Sequence, residues 1–413
     1  IRDLSHLGVY HFKGFKLKQN LKYRNITMLL IKNAQIFSPD PLGKNDMLIA
    51  GDKILFIAES ISEKAPYITK VINANGGTMI PGFIDSHCHV AGAGGEGGPA
   101  TRTPEMHINQ FFEAGVTTAV GCLGTDGITR DPRAVLMKVK ALNKEGITAY
   151  MYTGAYQIPT PTILGSIAED IAMIEEVIGA GEIALSDHRS SAPTISEIAK
   201  IAAAARVGGM LGGKAGIVNI HMGDAQNPFQ PLYDVVKSTE LSFTQFMPTH
   251  VNRNDYIFED AKTYGKTGIV DITSSSYPYF PEYEIKPSHS VAELIAAGVP
   301  IKNITMSSDA GGSLPGFDES GNLLKLETGK PISLLYEFRD MINEEKMSVS
   351  DAARIISTNV AAALKLSTKG HIQTGFDADL LILDENLEIF TMIAKGEIIT
   401  ENHQIIKSTY FPK

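Results

Sequence analysis

Between residues 82 and 310 the chain alternates short apolar runs with longer stretches of helical periodicity. The apolar runs are GFIDSHCHV (82–90), TTAVGCL (117–123), AYMYTGAY (149–156), EIALSDH (182–188), GIVNIHMG (216–223), SFTQFMPTHV (242–251), GIVDITSS (268–275) and NITMSSDA (303–310). Their length and flanking turn residues predict strands. Between them TPEMHINQFFEAG, RAVLMKVKALNKEG, AEDIAMIEEVIG, TISEIAKIAAAARVGGML and HSVAELIAAG carry the apolar spacing of helices packed by one face. Eight strands alternating with helices predict an α/β fold, a (β/α)8 TIM-like barrel over 81–365. A doubly wound open sheet is the alternative, and the count of eight favours closure. SLLYEFRDMINEE and SVSDAARIISTNVAAALKL are helices that lead out of the barrel.

The two ends follow a different pattern. MLLIKNAQIFS, DMLIAGDKILFIAE and YITKVINANGGTMIPG read as short strands with turns, GDK being a hairpin turn. The same pattern returns in ADLLILDENLEIFTMIAKGEIITEN. Residues 28–80 and 366–413 are therefore expected to pair into a small β-sandwich domain built from both chain ends. Residues 1–27 are basic and lack the apolar core of a signal peptide. With Met28 opening the first strand, 1–27 is expected to be an N-terminal extension outside the fold, either non-native or carried from an upstream start.

Composition narrows the function classes. The net charge of −9 argues against a nucleic-acid partner, which calls for a basic face. Two cysteines, Cys88 and Cys122, cannot form a disulfide framework and fit a reducing cytoplasm. No apolar run is long enough to span a bilayer.

Candidate chemistry gathers at the C-terminal ends of the predicted strands, where barrels of this kind place their active sites. His87 and His89 lie two apart and share a strand face, so both point inward while Cys88 points towards the helices. His221, His250 and Asp309 end three later strands. Singly, each has an ordinary reading: His221 as a satisfied core histidine, Asp309 as a helix cap. Together they put imidazole and carboxylate donors at one mouth, a set that suits Zn²⁺.

With these residues in place, PGFIDSHCHV, the later histidines and the last-strand Asp resemble the amidohydrolase superfamily of metal-dependent hydrolases, and GHIQTGFDADLLILD (370–384) is similar to its C-terminal β segment. GGEGGPATRTPE (94–105), YTGAY (152–156), SDHRSSAP (186–193), HMGD (221–224), PTHVNRN (248–254) and SSDAGGS (307–313) resemble one branch, the isoaspartyl (β-aspartyl) dipeptidases. The resemblance covers about 28–413 and implies a metallo-hydrolase of β-aspartyl dipeptides, working through a metal-activated hydroxide with Asp309 as general base. It implies two Zn²⁺ per subunit, with one as the alternative. His87, His89 and Asp309 would hold the first ion, and His221 and His250 the second. Tyr156 would support the developing oxyanion. Glu96 would take the substrate ammonium, Arg189 and Arg253 its carboxylates, and Ser313 a further hydrogen bond. An ion pair with Asp187 is the plainer reading of Arg189. The resemblance further implies a cytoplasmic homo-oligomer, an octamer, with a dipeptide as its partner and neither nucleic acid nor membrane. Two other readings are a cyclic-amide hydrolase of the dihydroorotase or hydantoinase kind, or another deacylase, and a scaffold protein that has lost activity.

One position departs from the branch. Where those dipeptidases carry a carboxylated lysine bridging two metals, this chain has Glu182, and no lysine lies between Lys144 and Lys200. Strand alternation puts Glu182, Ala184 and Ser186 on one face and Ile183 and Leu185 on the other. Glu182 is thus expected to point into the barrel and bridge the metals directly, on a shorter arm.

Overall fold

The computed structural model describes residues 28–65, 67–317 and 323–411, so the extension expected at 1–27 lies outside the described residues. Eight parallel strands form the centre: Phe83–Cys88, Val116–Gly121, Thr148–Thr153, Val177–Leu185, Ile217–Met222, Phe246–Thr249, Val270–Thr273 and Ile304–Ser307. The first six are successive neighbours in one sheet and the last two pair with each other. The backbone N–H of Val251 donates to Asp271 O at 3.3 Å, joining the sixth strand to the seventh. Asp309 N donates to His87 O at 3.0 Å and His89 N to Ala310 O at 2.6 Å, joining the eighth to the first. Strand order follows chain order all the way round, so the sheet closes into a TIM-like barrel and the open-sheet alternative is excluded.

Two buried carboxylates fasten the ring below the mouth. Asp271 accepts from Thr249 Oγ1 (2.7 Å), Thr305 Oγ1 (2.6 Å) and Ser307 Oγ, on the strands either side of its own. Asp85 on the first strand accepts the N–H of Ser308 at 3.0 Å and the Ser308 hydroxyl. These bonds satisfy the buried acids and hold the strand ends that carry His250, Asp309 and His87 in register.

Boundaries differ from the sequence pattern in three places. The fourth strand begins at Val177 and the helix before it ends at Met173. Ile174, Val177 and Ile178 fit helical spacing as well as a fully buried strand, and tertiary burial decides for the strand. The first barrel helix covers only Ile108–Ala114, because His107 caps it. Its Nδ1 accepts from Asn109 N, and the Gln110 side chain accepts from His107 N at 2.8 Å, a capping box with an uncommon cap. SFTQ is a short 3₁₀ segment, and the sixth strand starts at Phe246. Beyond the barrel, Ser313–Phe317 and Leu323–Thr328 form an antiparallel pair that periodicity did not mark.

The chain ends meet in one nine-stranded sheet. Met28–Phe37 is its hub, pairing with Pro41–Ala50 and, along its two halves, with Ile68–Asn73 and Thr78–Pro81. Thr78–Pro81 then runs antiparallel to Leu380–Leu383 from the far end of the chain. This unit has its own core, with Leu29, Ile31, Met47, Leu380 and Ile393 all buried.

Candidate active site

Glu182 sits at the centre of the barrel mouth. It follows Gly181, whose φ is +147° and where a Cβ would come within 2.8 Å of Asn219 O. Glycine at 181 therefore lets the fourth strand lie close to the fifth just before the acid. Glu182 Oε1 lies 2.8 Å from His221 Nδ1 and 3.1 Å from His250 Nε2. Its other oxygen, Oε2, lies 3.5 Å from His87 Nε2 and 3.8 Å from His89 Nε2. Asp309 Oδ1 completes that side, 3.1 Å from His89 Nε2 and 3.6 Å from His87 Nε2. His250 and Asp309 both sit just past their strands at φ +64° and +55°. Non-glycine residues avoid this region, and here it lies at the ends of strands that face the mouth.

Outer groups orient the imidazoles. His87 Nδ1 donates to Asn219 Oδ1 (3.0 Å), and His250 Nδ1 pairs with Thr273 Oγ1 (2.6 Å), so both rings turn Nε2 to the centre. His221 is turned the other way. Its Nε2 meets Asp187 Oδ2 at 3.0 Å and its Nδ1 faces Glu182. Such partners fix tautomer and ring orientation in metal-binding histidines. Tyr156 OH lies 2.7 Å from His221 Nδ1.

The donor set fits a divalent metal. Glu182 Oε2 and Asp309 Oδ1 are buried without a hydrogen-bond partner, and both face the imidazole nitrogens of His87 and His89. Buried carboxylate oxygens are costly unless paired, and nitrogen and oxygen donors gathered this closely are what zinc-type ions take. Among the described residues Glu182 belongs to both potential metal-holding groups, one with His87, His89 and Cys122 and one with His221 and His250. Burial opposes charge on Glu182, but His87 and His221 outweigh it and hold its carboxyl well below the usual range. For Asp309 burial likewise opposes charge, and His89 and His250 outweigh it, so it too stays ionised. Burial, helped by the nearby Arg253 charge, pushes His250 down to about 3, and burial with the Glu182 carboxylate raises the Tyr156 phenol well above its ordinary value.

The groups expected to bind substrate border this centre. Arg189 sends Nε and Nη2 to Asp187 at 3.0 and 2.9 Å, so the plainer ion-pair reading describes a real contact. The pair is not a surface one: the Asp187 side chain is 4% exposed, and the Arg189 guanidinium lies 5.3 Å over the Tyr156 ring. Glu96 Oε1 lies 3.5 Å from Arg189 Nη1, and Ser313 Oγ stands 3.5 Å from Glu96 Oε2. Arg253 Nη1 reaches Met222 O at 3.2 Å and stands 3.1 Å from His221 Nε2. A recess of about 50 Å³ over the Glu182 centre adjoins a chamber of about 600 Å³, and Glu96, Arg189, Arg253, Asp309 and Ser313 border both.

Three contributors were not singled out for the site from the sequence. Asp187 figured only as a partner for Arg189, yet it also orients His221. Gly124 leaves the recess open, since a Cβ there would stand 3.0 Å from His89 Cε1 and 3.5 Å from Glu182 Oε2. Cys122 Sγ lies 3.6 Å from His87 Nε2 and 3.8 Å from His89 Nδ1. Its place just past the second strand, at the same barrel end as the histidines, was the available signal.

Residues 258–407 match one model of the amidohydrolase family and residues 70–161 match another. The fold and the histidine–carboxylate mouth define the same class, and the chain belongs to the amidohydrolase family, as a hydrolase of amide or peptide bonds. Within it the chain falls with the β-aspartyl dipeptidases. It is 40% identical, with a TM-score of 0.86, to the crystal structure of β-aspartyl dipeptidase from the keratin-degrading thermophile Fervidobacterium islandicum AW-1 in complex with β-Asp-Leu dipeptide, and the match covers 93% of this chain and 100% of that one. A second structure of β-aspartyl dipeptidase from that organism matches at 38% identity and TM-score 0.85, over 93% and 100% of the two chains. A dihydroorotase of Caldicellulosiruptor saccharolyticus is 31% identical over 163 residues, covering 39% of this chain and only 35% of that enzyme.

Proposed function

We propose that this hydrolase cleaves β-aspartyl dipeptides with the help of a zinc pair, which His87, His89, Glu182, His221, His250 and Asp309 would hold. The observation that carries the reading is the division of Glu182 between two donor groups, Oε1 towards His221 and His250 and Oε2 towards His87 and His89. Asp309 joins the second group. A metal pair, when bound, supplies Lewis-acid polarisation of the scissile carbonyl and lowers the pKa of water.

The protein's own groups do the rest. Asp309, held ionised, accepts the water proton and passes it to the leaving amine nitrogen. The Tyr156 phenol stays protonated near neutral pH and donates to the oxygen on which charge develops, releasing its contact with His221. A β-aspartyl dipeptide carries one free ammonium and two free carboxylates. Glu96 suits the first, Arg189 and Arg253 the others, and Ser313 adds a hydrogen bond. The carboxylate of Asp187 keeps Arg189 extended over Tyr156. Catalysis in the cytoplasm by a homo-oligomer agrees with the resemblance, and the two buried free thiols fit a reducing setting.

The dihydroorotase likeness favours a cyclic amide as the second reading. A dihydropyrimidine ring, however, brings no ammonium for Glu96 and fewer carboxylates for the two arginines. The zinc-loaded protein, given β-Asp-Leu and dihydroorotate in separate assays, is expected to release free aspartate and leucine from the first and leave the second intact. Turnover of dihydroorotate with β-Asp-Leu untouched overturns the reading.

A further inference from the structure

Cys122 stands with His87, His89 and Glu182 in one of the two potential metal-holding groups, yet the reading above gives it no role. It is fully buried, and its Sγ is 3.6 Å from His87 Nε2. That nitrogen is the one His87 turns to the centre, because Nδ1 is engaged by Asn219. Around a tetrahedral zinc, Zn–N near 2.0–2.1 Å and Zn–S near 2.3 Å place nitrogen and sulfur about 3.5 Å apart. The observed separation, within reach of an S–H···N hydrogen bond, also matches that of two ligands on one such ion. A second, independent observation points into the same space: Glu182 Oε2, on a side chain 1% exposed, is unpartnered and lies 3.5 Å from the same His87 nitrogen. The ligand atoms of His87, His89, Cys122 and Glu182 all lie within 4.8 Å of one another. Both thiols reach a backbone carbonyl, Cys122 that of Cys88 at 3.6 Å and Cys88 that of Val120 at 3.4 Å, but the Cys122 sulfur also meets the histidines.

We propose that Cys122 ligates, as a thiolate, the metal held by His87 and His89. Binding then releases the thiol proton to solvent, and the sulfur biases this position towards zinc, cobalt or cadmium over magnesium or manganese. The inference rests on the metal-holding reading above but not on the substrate.

X-ray absorption at the zinc edge of the zinc-loaded protein, with occupancy fixed by elemental analysis, is expected to show a sulfur shell at about 2.3 Å. The cobalt-loaded protein is expected to show a thiolate-to-cobalt charge-transfer band in the near ultraviolet. Cys122→Ser should lose both signals and Cys88→Ala should keep them. If Cys122→Ser does not fold, the native spectra with the Cys88→Ala control decide the matter alone. A zinc-occupied native protein with only nitrogen and oxygen scatterers overturns the proposal, and so does a cobalt band that disappears in Cys88→Ala but persists in Cys122→Ser. Failure to take up either ion overturns it together with the metal reading. Because no readout uses substrate, a negative β-Asp-Leu assay leaves the test of Cys122 intact.

Discussion

Four imidazoles and the Asp309 carboxylate surround Glu182, a side chain with almost no exposure. A carboxylate in such a place is tolerable only because polar partners stand on both sides of it, His221 and His250 at Oε1 and His87 and His89 towards Oε2. Gly181, just before Glu182, lets the fourth strand lie close to Asn219 of the fifth. Glu182→Ala removes the one donor common to both groups, so the purified variant is expected to lose most of its bound metal by elemental analysis; full occupancy would make Glu182 a spectator. On the proposed reading Glu182 supplies the shared carboxylate directly, with none made from CO₂, so activity after bicarbonate depletion and metal reloading is expected to equal that of the untreated enzyme. Restoration of lost activity by bicarbonate would contradict this.

Among the helices, Pro287–Ala296 and Ser333–Asn343 meet through a buried acid. Glu337 on the second accepts the N–H of Ser288 in the first turn of the other, a carboxylate at a helix N-terminus. Burial nonetheless raises its pKa from 4.5 to about 7. The native state thus holds this proton more tightly than the unfolded chain. The contribution is fully present below about pH 4.5 and is lost as pH rises through about 7. In Glu337→Gln that loss disappears while the acceptor oxygen remains. Relative to the parent protein, the variant is expected to gain stability between pH 5 and pH 8, on the order of 3 kcal/mol by linkage. Denaturant unfolding of both proteins at the two pH values measures it, and parallel pH profiles would refute it.

At the scale of the molecule, the barrel and the β unit share a charged joint. Lys369, 4% exposed, meets Asp377 Oδ2 at 3.0 Å and also contacts Asp379. Asp377 in turn pairs with Lys53, and Asp379 accepts Lys395 N through Oδ1 (2.7 Å) and Gly82 N through its carbonyl (2.9 Å). One ammonium therefore ties the C-terminal sheet segment to the N-terminal one and to the start of the first barrel strand. Lys369→Met leaves two carboxylates without their central cation, and breaking a buried pair this way costs about 3–5 kcal/mol. A fall of that size in unfolding free energy from urea titration is the expected result; a change below about 1 kcal/mol would show the joint to be dispensable.

The strand–helix alternation, the eight strands and the polar residues at their ends were legible in the sequence, because apolar periodicity and strand alternation are local properties of the chain. So was the inward direction of Glu182, which follows from the buried faces either side of it. Where helical spacing and a buried run coincide, as at Ile174–Ile178, local pattern cannot choose, and packing against the neighbouring strand chose. Closure of the ring, the pairing of strands from opposite chain ends, the turning of His221 by Asp187 and the approach of Cys122 to His87 join residues far apart in the chain. Those contacts exist only once the backbone has brought the strand ends to one mouth, so only the tertiary structure could decide them.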